Sequence, residues 1–135
     1  MKVSELMTAP PITTGPHMPV FEARQIMIDK RIRHLLVTEG SKLLGIVTDR
    51  DIRLNLPSPA TSLSVWEINY LLARMTVDSV MTKAVVTVDP RWDVRGAAQL
   101  MLDHKIGALP VVDGGGTLVG IITETDLLRA FVKAS

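Results

Sequence analysis

Hydrophobic positions along this chain follow a helical period and then a strand period, and this order occurs twice. Residues spaced as on one face of a helix are Val20, Ala23 and Met27, and later Val94, Ala97 and Met101. Each stripe is followed by two apolar, β-branched runs around a Gly- or Asp-containing turn, HLLVTEG-KLLGIVT and ALPVVDGGG-TLVGIIT. The pattern predicts a helix followed by a β-hairpin in both halves.

Elements on either side complete the predicted unit. A short β-prone segment, PPITTG, precedes the first helix, and Pro19 is expected as the first helical residue because a missing N–H costs nothing there. The sequences TDRD, from Thr48, and TETD, from Thr123, open a second helix, with acids where the helix dipole favours them. Each half is therefore predicted to be a β-α-β-β-α unit.

The two halves are copies of one sequence. Met7-Thr8 recurs as Met81-Thr82, 74 positions later, and further matches continue at that offset. One extra residue near DGGG changes the offset to 75, and GIVTDRD (Gly45–Asp51) then aligns with GIITETD (Gly120–Asp126). So long a match with one gap indicates a duplication. The shared glycine of these heptapeptides is expected to set a turn.

Domain boundaries follow from the repeat. Residues 1–56 form the first copy, 57–75 a connecting segment with a helix, and 76–135 the second copy; Pro57 and Pro59 are expected to end the preceding helix. A copy of this length buries little apolar surface alone. We therefore expect an α+β fold in which two pseudo-twofold-related units pack as one intramolecular module.

The connecting segment contains its own helix signals. Ser64 and Glu67 have the spacing of a capping box. The apolar stripe that follows is Val65, Ile68, Leu71, Leu72 and Met75. Trp66 and Tyr70 are four residues apart and form a second face. That face either packs against the two copies or contacts another subunit.

Composition limits the classes of function. The chain is 47% hydrophobic but 4% aromatic, so aliphatic residues must build the core. A net charge of +1 with interspersed signs gives no field for nucleic acid, which is not an expected partner. The chain has no cysteine, which fits a reducing compartment. No signal-like segment and no stretch of about 20 apolar residues is present, so we expect a cytoplasmic protein that does not enter a membrane.

Catalytic patterns are missing from the sequence. There is no cysteine and no Gly-x-Ser-x-Gly, and the glycine run 114–116 lacks the Lys-Ser/Thr of a phosphate-binding loop. His17, His34 and His104 lack metal-ligand spacing. We expect no enzyme activity, no catalytic residue and no metal site.

The segments VSELMT, IRHLLVTEGSKLLGIVTDRDI, VDSVMT and IGALPVVDGGGTLVGIITETDLL together resemble tandem cystathionine-β-synthase (CBS) domains, a pair known as a Bateman module. The resemblance covers essentially the whole chain. It implies a stand-alone regulatory or sensor module that binds AMP, ADP, ATP or, in some members, S-adenosylmethionine in clefts between the two units. It also implies a homodimer, an effector protein that the sequence does not identify, and no required cofactor beyond the regulatory nucleotide.

The resemblance assigns ribose and phosphate contacts to the two heptapeptides. Asp51 and Asp126 match the family's ribose ligands, since a carboxylate offers two acceptor oxygens to a cis-diol. Thr48 and Thr123 match its phosphate contacts and lie at predicted helix N-termini, whose free amides favour anions. The same residue types are ordinary helix caps, which is the alternative interpretation.

Basic residues differ between the copies. Arg33 and His34 lie where family members often place basic residues that meet phosphates, and the second copy has Gly107 and Ala108 in place of this basic pair. Arg50 adds another charge between Thr48 and Asp51, where the second copy has Thr125, so the best phosphate candidates are Arg33, His34 and Arg50. The two sites therefore need not bind alike, although exposed cations at a helix end and a turn would look the same. The alternative function, an association module without ligand, is favoured by Trp66 and Tyr70 and by the missing basic pair in the second copy.

The sequence gives the weakest signal for the adenine contacts, because the family makes these contacts with main-chain groups and they leave little trace in the side chains. The matching residues are Ile12, Thr13, Ile32, Val86, Thr87, Ile106, Gly107 and Ala108. The first copy departs from the family's Leu-Pro-Val, with Leu36 where the second copy has Pro110. The shape of that first strand edge is therefore open.

Overall fold

The structure, a computed structural model, describes residues 1–56 and 62–134. The predicted helix stop at Pro57 and Pro59 lies outside the described residues. In chain order the elements are α1 (Val3–Leu6), β1 (Thr13–Thr14), α2 (Val20–Lys30), β2 (His34–Glu39), β3 (Lys42–Thr48), α3 (Asp49–Leu54), α4 (Val65–Arg74), a 3-10 turn (Val77–Ser79), α5 (Val94–His104), β4 (Ala108–Val112), β5 (Leu118–Thr123) and α6 (Glu124–Ala134).

The chain forms two compact units. The central unit is Ile12–Ala84, and the terminal unit joins Met1–Pro11 to Val85–Ser135. These units group residues by contact, whereas the boundaries 1–56, 57–75 and 76–135 follow the sequence repeat and stay a prediction. The N-terminal segment of each sequence copy thus belongs to the compact unit that holds the other copy's hairpin.

In the central unit a three-stranded sheet packs against α2. The strand order is β1-β2-β3, with β1 parallel and β3 antiparallel to β2. The core comprises Val20, Ala23, Met27, Leu35, Val37, Val47, Ile52 and Val77. The predicted helix stripe and hairpin are confirmed. The prediction that Pro19 is the first helical residue was wrong by one position. Pro19 is the N-cap of α2, and its ψ of 140° leaves it outside the helix.

The terminal unit has a two-stranded sheet, β4 antiparallel to β5, with α5 and α6. Its core comprises Val3, Val88, Ala97, Met101, Leu109, Val111 and Ile122. The prediction of a first strand in this copy was wrong for the described residues, where a single parallel bridge joins Val88 to Val111. Val88 donates to the carbonyl of Pro110 at 3.0 Å, but Pro110 has no N–H with which to extend the ladder.

The Met-Thr dipeptides explain the shared glycines. Thr82 exchanges two backbone hydrogen bonds with Ile46 of β3, of 3.0 and 2.8 Å. In the same way Thr8 exchanges bonds of 2.8 and 3.1 Å with Ile121 of β5. Gly45 and Gly120 lie inside β3 and β5, so the expectation that they set a turn was wrong. Their missing side chains admit the Met-Thr segments.

Helix α4 is capped as predicted but little buried. Ser64 and Glu67 form the capping box, with bonds of 3.2 Å in both directions. None of the helix's residues is buried, so the apolar stripe does not form a core face, although Met75, just after it, packs against the central core. Trp66 is 84% exposed and Tyr70 58%, so packing against the two copies is wrong for these residues. Instead the guanidinium of Arg74 lies 4.2 Å from the Tyr70 ring centre.

Across residues 1–56 and 62–134, no helix has both the length and the apolar character needed to cross a bilayer.

Candidate functional site

Strand pairing brings the predicted residues of the first copy to one place, here called the Thr48 corner: Arg33, His34, Thr48, Arg50 and Asp51. His34 begins β2 directly opposite Thr48, the last residue of β3. The backbone N–H of Asp49 then donates to the carbonyl of Arg33 at 3.2 Å. The start of α3 is therefore tied to the loop before β2.

At the Thr48 corner a reciprocal capping box orients Asp51. The N–H of Thr48 donates to Oδ2 of Asp51 at 2.9 Å, and the N–H of Asp51 donates to Oγ1 of Thr48 at 3.0 Å. The capping interpretation is thus confirmed. The capping bond uses only part of the acceptor capacity of the carboxylate, since its two oxygens have about four lone-pair positions. A fixed carboxylate loses little side-chain freedom when it accepts another hydrogen bond.

Two cations at this corner have no carboxylate partner among the described residues. Arg33 and Arg50 are exposed and form no ion pair within the described ranges. The neighbouring Asp49 is bound instead to Arg53, with Nε and Oδ2 3.0 Å apart. His34 is half-buried at the start of β2. Positive charge is consequently available beside the Thr48–Asp51 box.

The second copy repeats this backbone as the Thr123 corner, which comprises Gly107, Ala108, Thr123, Thr125 and Asp126. Ala108 pairs with Thr123, as His34 does with Thr48. The N–H and Oγ1 of Thr123 approach Oδ2 of Asp126 at 2.9 and 3.1 Å, and Asp126 is only 9% exposed. Both ribose candidates are therefore held in the same way.

The charge at the Thr123 corner differs from that at the Thr48 corner. The N–H of Glu124 donates to the carbonyl of Gly107 at 3.0 Å. A Cβ on Gly107 would lie 2.5 Å from Oε1 of Glu124, so this carboxylate lies against the glycine that replaces Arg33. Acidic groups therefore predominate at this corner.

The predicted adenine contacts are less closely grouped. Ile12 and Thr13 are exposed, and β1 is separated from β3 by β2. Ile32 packs against the central core and Val86 and Ile106 pack against the terminal core, while Thr87 is exposed. In the terminal unit Gly107 and the buried Ala108 lie at the corner itself. Chain proximity thus brings Ile32, Ile106, Gly107 and Ala108 to the corners, but not β1.

Sequence reasoning missed a backbone feature beside each corner. Arg31 and Lys105, which end α2 and α5, have φ of 56° and 54°, in the left-handed region. The turn lets the N–H of Ile32 return to the carbonyl of Met27 at 2.9 Å. These two non-glycine residues occupy equivalent positions in the two copies. The signal in the sequence is that both helices end without the glycine that commonly adopts this conformation.

No cluster of three potential metal ligands occurs in the part of the chain that the structure describes.

Comparison with known proteins agrees with this architecture. The family model of the CBS domain matches residues 3–58 and 77–133, and the chain belongs to that family. Its fold class is α+β with two CBS repeats. A curated relative, the L-aspartate semialdehyde sulfurtransferase of Methanocaldococcus jannaschii, is 33% identical over 132 residues, or 96% of this chain. The chain spans 23% of the length of that relative.

Two solved structures are similar over nearly their full length. The CBS domain pair of protein MJ0100, in complex with 5′-methylthioadenosine and S-adenosyl-L-methionine, is 29% identical with a TM-score of 0.81, covering 100% of this chain and 98% of that one. CBSX2 in complex with AMP is 27% identical with a TM-score of 0.80, covering 98% and 97%.

Proposed function

We propose that this chain is a regulatory module that binds adenosine-containing ligands at the Thr48 and Thr123 corners and passes its state to an effector protein. One observation carries the proposal: the same oriented Thr-x-x-Asp box is built twice, and the first is accompanied by two arginines that form no ion pair with the residues described. The complexes of the MJ0100 pair and of CBSX2 with adenosine compounds support the ligand class.

Ribose recognition is the role proposed for Asp51 and Asp126. Each carboxylate is held by the backbone of its own box and retains acceptor capacity for a cis-diol. Hydrogen bonds to an ionised acceptor are roughly twice as strong as neutral ones. Each carboxylate thus keeps the acceptors that the resemblance-based assignment requires, in addition to its capping bonds.

Phosphate recognition is proposed for Arg33, His34 and Arg50, together with the hydroxyl of Thr48. Two exposed guanidinium groups without an ion pair among the described residues leave donors for a phosphate. The corner residues of the second copy include no basic side chain, and the resemblance gives the hydroxyl of Thr123 as the phosphate contact within that corner. We therefore propose that the Thr48 corner prefers the more highly phosphorylated ligand.

Isothermal titration calorimetry tests the proposal with AMP, ADP, ATP and S-adenosylmethionine against the wild-type chain. We expect heat of binding with at least one of them, and weaker binding after Asp51→Ala or Asp126→Ala. The absence of heat with all four, in a sample that unfolds cooperatively, would overturn it.

An association module that binds no ligand is the second candidate. The observation that favours it is the exposed face of α4, where Trp66 is 84% and Tyr70 58% exposed. Such a module would give the same sedimentation profile with and without each nucleotide. The homodimer, the effector and the cytoplasmic location stay predictions.

A further inference from the structure

The terminal unit contains an open pocket of about 380 Å³ between α1 and α6. Its walls include Glu5 and Leu6 of α1 and, from α6, Asp126, Arg129, Ala130 and Lys133. Small-molecule sites commonly have volumes of roughly 300 to 1,000 Å³. Arg129 and Lys133 belong to neither corner, so this wall adds new groups beside Asp126.

The residues of α6 that line the pocket share one face of the helix. Positions 126, 129, 130 and 133 have the spacing i, i+3, i+4 and i+7. At a rise of 1.5 Å per residue, Asp126 and Lys133 are separated by roughly 10 Å along the axis. The face thus has a carboxylate at its first turn and two cations on the following turns.

The two cations of this pocket and its two carboxylates, Glu5 and Asp126, form no ion pair with one another in the described part of the chain. Oε2 of Glu5 accepts the N–H of Lys2 at 2.6 Å, and Oδ2 of Asp126 accepts the N–H of Thr123 at 2.9 Å, so both acids cap their own helices. Arg129 and Lys133 form no ion pair with any residue of 1–56 or 62–134. The N–H donors of these two cations therefore remain available to an anionic group of a ligand.

We infer that this pocket binds a phosphorylated ribose, with the sugar hydroxyls on Asp126 and the phosphate on Arg129 and Lys133. The inference rests on the proposed function only in taking Asp126 as the ribose contact. Charged donors on a phosphate make short, strong hydrogen bonds, and arginine offers them in a bidentate fork. Leu6 and Ala130 add apolar surface to the same walls.

In this pocket Arg129 and Lys133 supply the positive groups that are missing from the corner residues of the second copy. There, Glu124 lies against Gly107, in place of Arg33. The residue of the first copy that aligns with Arg129 is Leu54, which is 72% exposed. The two copies thus keep the ribose carboxylate and differ in where the phosphate is met: at the corner in the first copy, and along the helix in the second.

The test is a titration of the ¹⁵N-labelled chain with ribose 5-phosphate, and with ribose as the unphosphorylated reference, followed by NMR. We expect the phosphate to shift the amides of α1 and α6 and to bind at least tenfold more tightly than ribose. The double variant Arg129→Ala/Lys133→Ala should lose this preference. The matched control Arg91→Ala/Arg95→Ala, which removes two exposed cations of the same unit, should keep it.

Equal binding of ribose 5-phosphate by the wild type and the Arg129/Lys133 variant, or unshifted α6 amides, would overturn the inference. A parallel titration with ATP separates it from the proposed function. If ATP shifts α3 but ribose 5-phosphate leaves α6 unchanged, this inference alone fails. If ribose 5-phosphate binds at α6 and no adenosine ligand shifts either corner, the proposed function alone fails.

Discussion

A Cβ atom on Gly45 would lie 2.7 Å from the carbonyl oxygen of Thr82, because the Met81-Thr82 segment is hydrogen-bonded alongside β3. The equivalent distance from Gly120 to the carbonyl of Thr8 is 2.9 Å. In each compact unit the first residue of the heptapeptide is therefore a docking point for a Met-Thr segment. The oxygen belongs to the backbone and cannot rotate away as a side chain can.

Gly45→Ala and Gly120→Ala should each destabilise the protein by about 1–3 kcal/mol, the usual cost of overpacking. The added methyl must displace the backbone of Thr82 or Thr8 or break its bonds to the strand. Urea unfolding followed by circular dichroism measures the effect. Gly15→Ala and Gly114→Ala are matched controls, since a Cβ at either position meets nothing within 4 Å. Equal losses in all four variants would contradict this explanation.

Capping and ligand binding by Asp51 can be separated. Asp51→Ala removes the bond to the Thr48 N–H and should cost about 1 kcal/mol of stability. Asp51→Asn retains an acceptor for that N–H but loses the charge. It should unfold near the wild-type temperature, yet bind the adenosine ligand about tenfold more weakly. Wild-type affinity in Asp51→Asn, measured by calorimetry beside an Asp29→Asn control, would argue for a capping role alone.

Arg33→Ala/Arg50→Ala should weaken ATP binding by tenfold or more while changing adenosine binding little, because charged donors to phosphate contribute roughly 1.5–3 kcal/mol. The loss should shrink at higher salt, where exposed charges are screened. Calorimetry at two ionic strengths measures both effects. Arg24→Ala/Lys42→Ala removes the same charge from exposed positions of the central unit and is the control. A similar loss for adenosine and ATP would exclude phosphate recognition by these arginines.

If α4 forms an interface between two copies, as the sequence suggests, Trp66→Ala and Tyr70→Ala should each weaken self-association by tenfold or more, since buried aromatic anchors dominate such interfaces. Sedimentation velocity over a concentration series gives the dissociation constant. Phe131→Ala is the control, because Phe131 is 78% exposed but lies on α6. A wild-type chain that remains monomeric, or a dimer that only Phe131→Ala disrupts, would refute this interface.

Lys105→Gly should leave the free energy of unfolding unchanged or raise it by up to about 1 kcal/mol. Glycine removes the cost of a left-handed backbone, roughly 1–2 kcal/mol, and part of the gain is lost to the greater freedom of the unfolded chain. Arg24→Gly inside α2 should instead cost about 1 kcal/mol. Denaturant titrations of the two variants compare them, and a comparable loss in Lys105→Gly would contradict the expectation.

Features carried by neighbouring residues could be predicted from the sequence. The helix stripe at Val20, Ala23 and Met27, the hairpins and the Ser64–Glu67 box all depend on spacings within a few residues. The box between Thr48 and Asp51 has the same local character, so its place at the start of a helix was predictable. The duplication supplied a second copy of each pattern.

Other features depend on groups that are distant along the chain. The clearance at Gly45 is set by Thr82, and the exposure of Trp66 depends on what its helix packs against. Pro110 limits the pairing of the segment around Val88 to one bridge, and these two residues lie far apart in the sequence. The spacing of residues within one segment cannot encode these contacts, because each contact requires two distant segments to meet.

The sequence alone determined the helix and hairpin that recur in both copies, the Thr48–Asp51 and Ser64–Glu67 caps, and the family, because these depend on local periodicity and on residue types at fixed spacing. Only the tertiary structure decided which Met-Thr segment packs on which glycine. It also decided that Glu5 and Leu6 of α1 line a pocket together with the α6 face that carries Asp126, Arg129 and Lys133. Contacts between distant segments are chosen by close packing and charge over the whole unit, and no local pattern contains that information.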